Sequence, residues 1–275
     1  MHSAFLENGN LITAKEYIPD LHGVQLFCLD KVCRVPLIFV QGNDDVSPHF
    51  KTSGKNDSVH KKNCGFSRKL SFQESVNKVA EFQQDLKNKG SKELLIRLNL
   101  NAIDPDYVAK SIERDEKEKD PTNQEEIKVK KDSGTPQSIG SLKAVKKLFL
   151  GYEPDILASI IISVKGKKIA ISELIRSHEE SHKALWEFNT YENVPYFVHG
   201  TVERIIRRDK VWFIKFDSSF SLVVFDRYFK HFTYKDDQLI GKNILAYGYL
   251  KKNNYNPDKP STEMIIKSNK YLEFL

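Results

Sequence analysis

Cysteine is scarce in this chain: Cys28, Cys33 and Cys64 are the only three in 275 residues. Three thiols cannot build a paired disulfide framework, because one is always left over. Long apolar runs are also lacking. None approaches the roughly 18 residues of a membrane-crossing helix, so no membrane partner is expected. The opening "MHSAFLENGNL" has no basic start followed by an apolar stretch, so no signal peptide is expected and a cytoplasmic location fits best. What is present suffices for folding: a 40% hydrophobic fraction with 17 Phe and 11 Tyr can fill real cores. The length points to two or three small domains.

In a reducing compartment, clustered cysteines read as metal ligands. Cys28 and Cys33 form C-x4-C within "LFCLDKVCRVPLIFV". His60 and Cys64 form H-x3-C within "SVHKKNC", one helical turn apart and so on one side. Zinc in structural sites takes four N or S ligands tetrahedrally. Cys28, Cys33, His60 and Cys64 supply Cys3His, and His49, in "SPHF", is an alternative fourth ligand. Zinc is the expected cofactor; the competing reading is three unrelated free thiols.

The stretch over residues 5–66 resembles the N-terminal zinc-finger-like region of competence protein CoiA-like families. The resemblance rests on Cys28, Cys33, Pro48, His49 and Phe50, with His60 and Cys64 behind them. In those families a C-x-x-C pair precedes a β-hairpin and a Pro-His-Phe motif; the cysteine spacing here is longer by two. The resemblance implies a DNA-handling context beside nuclease-type domains. Residues 1–66 carry seven basic and seven acidic side chains. A module that gripped phosphates alone would be basic, so this one reads as structural or protein-contacting.

Downstream, "SFQESVNKVAEFQQDLKNKG" predicts a helix. Ser71 and Glu74 match a capping box, Phe72, Val76, Val79, Ala80 and Phe82 form the apolar stripe, and Gly90 is the expected C-cap. "KELLIRLNL" at 92–100 fits a strand or a short helix. Fifteen of the 23 residues 110–132 are charged with mixed sign, which predicts a linker or mobile insertion, or an exposed helix over "VAKSIERDEKEK". "SLKAVKKLFLGYEPDI" reads as an amphipathic helix ending near Gly151. "ASIIISVKGKKIAIS" reads as a hairpin around Gly166, and "SELIRSHEESHKALWEF" as a helix.

Two patterns here imitate catalytic motifs. "HEESH" is literally H-E-x-x-H, in which His178 and His182 would bind zinc and Glu179 would act as general base. Glu180, Ser181 and Lys183 make it a polar helix face instead, and no third ligand has a supporting motif. Asp155 with Ser163-x-Lys165 echoes a restriction-type nuclease core, but the middle acid is a serine. One carboxylate does not hold Mg²⁺ in an octahedral site without help, so no nuclease activity is expected.

The C-terminal part shows five strand-like runs, from "PYFVHGTVERI" to "TEMIIKSNKYLEFL", spaced by turn residues. It resembles an OB-fold over 195–275, notably in "VHGTVERI", "FSLVVF" and "LIGKNILAYGYL". Residues 197–275 hold fourteen basic against nine acidic residues, nearly the whole net charge of +6. Basic and aromatic residues interleave, as in single-strand binders. The candidate nucleic-acid contacts are Arg207, Arg208, Lys210, Trp212, Lys215, Tyr249, Lys251 and Lys252, with Trp212 as the stacking ring.

The expected protein is a multidomain α+β chain. It has a zinc-finger-like module over 1–68, a helical segment over 69–109 and a charged linker or insertion over 110–137. A mixed helix and hairpin segment over 138–190 and an OB-like β-barrel over 191–275 follow. The expected function is non-catalytic nucleic-acid binding by an accessory protein in bacterial DNA uptake, repair or defence. Single-stranded DNA or RNA and a protein are the expected partners. Two rivals stand beside it: a metal-dependent hydrolase using "HEESH", and a scaffold whose barrel and zinc module both contact proteins.

Overall fold

The computed structural model describes residues 1–87, 94–108, 138–256 and 258–275. The charged run at 110–132 and the C-cap expected at Gly90 lie outside the described residues. The chain is a mixed α/β protein with two five-stranded and two four-stranded sheets among those residues.

The N-terminal sheet contains β1 (Ser3–Leu6), β2 (Leu11–Thr13), β3 (Leu26–Cys28), β4 (Pro36–Val40) and β5 (His49–Lys51). It runs β2-β1-β3-β4-β5, with every pair antiparallel. A one-turn helix, α1 (Pro19–His22), joins β2 to β3. All four residues of β1 are buried, because the chain's start is tied into the middle of the molecule. The Met1 ammonium pairs with Glu153 at 2.9 Å, and the backbone N–H groups of His2 and Ser3 donate to Asp155 Oδ2 at 2.7 and 2.8 Å.

Helix α2 (Phe72–Lys87) begins at the capping box, with Ser71 and Glu74 bonded to each other's backbone N–H. Its buried stripe is Phe72, Val76, Val79, Phe82 and Leu86. Ala80, expected in that stripe, is exposed, and Leu86 completes the face instead. The ambiguous run at 92–100 contains a strand, β6 (Leu94–Leu98). Its period could not decide this; flanking by parallel partners on both sides does.

Those partners are β7 (Ser138–Ile139) and β8 (Ile160–Val164), which with β9 (Lys167–Ala170) give the order β7-β6-β8-β9. Between β7 and β8 lie α3 (Leu142–Gly151), N-capped by Ser141, and α4 (Pro154–Ala158). The hairpin from β8 to β9 turns at Lys165 and Gly166, both at positive φ, as a two-residue turn matching strand twist requires.

The C-terminal part begins with α5 (Ile171–Leu174), β10 (Ile175–Ser177) and α6 (His178–Trp186). Strands β11 (Tyr196–Thr201), β12 (Arg204–Arg207), β13 (Val211–Lys215) and β14 (Phe220–Phe225) follow. After α7 (Asp236–Leu239) come β15 (Asn243–Gly248), β16 (Leu250–Asn253), β17 (Ser261–Ile265) and β18 (Leu272–Phe274). One sheet runs β10-β11-β15-β18 and the other β12-β13-β14-β17-β16. Pair β14–β17 is parallel and β11–β15 antiparallel. Only two residues separate β11 from β12, and only Tyr249 separates β15 from β16. At both places the chain leaves one sheet and enters the other.

Strand β10 pairs with β11 across the boundary expected at residue 190. Phe72 of α2 meets both Phe149 of α3, at 5.3 Å, and His199 of β11, at 5.8 Å. The buried core therefore runs continuously through the described residues.

Candidate metal centre

Cys28 is the last residue of β3, in register with Ala4. The chain then reverses tightly: the N–H groups of Cys33 and Arg34 both donate to the Asp30 carbonyl, with Arg34 at φ 47°. Cys28 N–H donates to Val35 O, which closes the knuckle. The second half of the group comes from the loop before α2. There Cys64 N–H donates to Lys61 O, and Phe66 N–H points at Cys64 Sγ at 3.4 Å.

These two turns bring Cys28, Cys33, His60 and Cys64 together, their ligand atoms all within 4.8 Å of one another. Cys28 Sγ is 3.6 Å from Cys64 Sγ, and His60 Nδ1 is 3.5 Å from Cys33 Sγ and 3.4 Å from Cys64 Sγ. Tetrahedral zinc, with Zn–S about 2.3 Å and Zn–N about 2.0–2.1 Å, holds its ligand atoms about 3.5–3.8 Å apart. The residues present fit such an ion. His49 lies outside the group: its Nδ1 sits 3.0 Å from Ser47 O, on β5. Of the two histidines considered as fourth ligand, the fold places His60 there.

Without a cation, only one of the three thiols ionises readily. The hydrogen bond with Cys64, then burial, pushes the Cys28 thiol pKa up. The same hydrogen bond brings Cys64 down to about 7, so one thiolate of the pair forms readily. Burial raises Cys33 and lowers His60, leaving the imidazole neutral and able to donate its lone pair. Metal binding requires deprotonated thiols and a neutral imidazole.

Around the group is a support that the spacing did not reveal. Asp30, fully buried, sits between the two knuckle cysteines. It accepts from Val32 N–H at 3.1 Å and Gly65 N–H at 3.0 Å, and pairs with the Lys78 ammonium of α2 at 2.8 Å. Burial alone would raise its pKa; Lys78 and the two N–H donors outweigh it and hold the carboxylate ionised. One side chain thus clamps both ligand loops to α2. Phe66 stacks on Phe82 of α2 at 5.5 Å, while His60 leans on Phe66 at 6.1 Å. An acid between two cysteines was the available signal for Asp30. Nothing local marks Lys78, which lies 48 residues away.

The two imitated motifs are held in other roles. Asp155 is buried and accepts from His2 and Ser3, so it anchors β1. His182 Nδ1 lies 2.9 Å from Thr262 Oγ1, and His178 Nε2 lies 3.5 Å from Asp217 Oδ2. No third ligand joins them among the described residues.

The expected nucleic-acid contacts separate into two sets. Arg207 pairs with Asp236 and lies 4.0 Å over the ring of Trp212, whose other face stacks on Phe229 at 3.9 Å. Trp212 is half-buried against these two neighbours. Lys215 is half-buried against Ser221, and burial, then Arg204, lowers its pKa. Arg208, Lys210, Tyr249 and Lys251 are exposed. Lys252 places its ammonium 4.9 Å over Trp186 and 3.8 Å over Phe188.

Compared with known proteins, the chain matches no family and no curated protein.

His199 in β11 is 3% exposed, and its Nε2 has no hydrogen-bond partner among the described residues. Burial pushes its pKa down to about 4. An unfolded histidine titrates near 6.5, so the unfolded chain binds the proton first. Stability is full above about pH 6.5 and falls as the pH drops toward about 4, with roughly 2 kcal/mol lost by pH 5. Urea melts at pH 7 and pH 5 should show that loss, and His199→Gln should remove most of it. An unchanged pH dependence in the variant would exclude His199 as its source.

Proposed function

We propose that the chain is a non-catalytic nucleic-acid-binding protein whose N-terminal part is held together by a structural zinc ion. The observation that carries this reading is the C-terminal strand arrangement. The order β12-β13-β14-β17-β16, with β11 pairing antiparallel with β15, suits an OB-like barrel. OB-folds are partly open five-stranded Greek-key barrels that bind oligonucleotides with the hairpin loops between their first two and last two strands. The corresponding tips here are 208–210 and, among the described residues, 254–256 with 258–260. Arg208 and Lys210 stand exposed on the first, and Tyr255, 96% exposed, on the second.

The zinc would be held by Cys28, Cys33, His60 and Cys64 and would supply cross-linking of two loops. Four protein ligands complete a tetrahedron and leave no open position for catalysis. The CoiA-like resemblance supports a role in DNA handling. A fluorescein-labelled single-stranded oligonucleotide should bind the full chain at low salt. Its log affinity should fall with log salt by about 0.7 per phosphate neutralised. Absence of binding to DNA and RNA at about 20 mM salt would rule this reading out.

A further inference from the structure

We propose that Phe188, at the C-terminal end of α6, is the ring on which a base of the bound single strand stacks, with Lys252 beside it for a phosphate; this rests on the nucleic-acid reading above. Phe188 occupies the position just beyond the helix end. Glu187 N–H donates to Lys183 O and Asn189 N–H to Ala184 O, so the chain between them must adopt the left-handed conformation. Phe188 does so at φ 60°. Glycine ordinarily fills that position because a Cβ is penalised there. A phenylalanine is strained, and its ring recovers little by packing: it is 84% exposed.

The ring stands in a cationic setting. The Lys252 ammonium lies 3.8 Å over one face, and the other face is open. Lys252 has no carboxylate partner among the described residues, and its cross-strand neighbour Thr262 faces α6 with it. Helix α6 packs on β16 and β17, so Phe188 stands beside the hairpin that carries Tyr255. An open π-face next to an ammonium without a carboxylate partner is the pairing by which single-strand sites hold base and phosphate. A protein hot spot has the opposite surroundings, a water-excluding apolar pocket.

The strain supplies an unusual test. With the full chain and a fluorescein-labelled 15-residue oligothymidylate, Phe188→Gly should raise Tm while weakening binding roughly 5- to 150-fold, the range of one lost stack. Its salt slope should stay that of wild type, because no phosphate contact is removed. Lys252→Gln should instead lower the slope by about 0.7. Phe188→Trp, which keeps a π-face, should retain affinity, and Phe188→Leu, equally strained but without one, should not. Wild-type binding that is unchanged in Phe188→Gly and Phe188→Leu would overturn the stacking role and leave the nucleic-acid reading standing. A wild-type chain that binds no oligonucleotide would overturn both.

Discussion

One zinc ion per chain, lost in His60→Ala and retained in His49→Ala, is the expected metal analysis of the purified protein. The two histidines are distinguished by geometry alone. His60 Nδ1 lies at 3.5 and 3.4 Å from two thiols, whereas His49 bonds to a neighbouring carbonyl. Cys28→Ser, Cys33→Ser and Cys64→Ser should each lower metal affinity by more than the roughly 10- to 100-fold typical of outer-shell changes. His178→Ala and His182→Ala should leave it intact.

The stability effect should be large. Structural zinc contributes about 10–16 kcal/mol of apparent binding energy in zinc-finger peptides at neutral pH. Little else anchors the 52–68 loop to the knuckle beyond Asp30, Ser58, which donates to Pro36 O, and Lys61, which donates to Val32 O. Chelation should therefore release that loop, which hydrogen exchange would read as lost protection at Cys64 and Gly65. A metal-free preparation with those amides still protected would remove the structural role from zinc.

Asp30→Asn should destabilise the metal-loaded protein by about 3 kcal/mol, at the lower end of the range for breaking a buried pair because Lys78 is one-fifth exposed. The substitution removes the charge facing the Lys78 ammonium and turns one of the two acceptors on Val32 and Gly65 into a donor. Lys78→Met should cost a similar amount by leaving Asp30 ionised in a dry site. The double variant should cost less than the sum, since the two share one interaction. Urea melts on all four proteins measure this directly. Additive losses would mean that Asp30 and Lys78 act separately. A weakened metal affinity in Asp30→Asn would show that the clamp also orients Cys28 and Cys33.

Much of the secondary structure was legible because local rules sufficed. The capping box at Ser71 and Glu74, the stripe of α2 and the Gly166 hairpin each depend on residues within one or two turns of each other. The strand at 94–98 was not legible, since an apolar run of that length suits either period and only its partners select one. The pairing of β10 with β11 across residue 190 is non-local, and no short-range pattern marks it.

The sequence by itself supplied the candidate ligand types: three thiols and, between Cys28 and Cys64, two imidazoles, spaced for two turns. Only the tertiary structure decided which imidazole belongs, because knuckle and loop meet through Asp30 and α2, and no spacing encodes that contact. The aromatic residues divide the same way. Composition placed rings among cations in the last 80 or so residues. Packing set Arg207 and Phe229 against Trp212 and left Phe188, upstream of that stretch, in the open, since a ring's availability depends on what packs against it from distant parts of the chain.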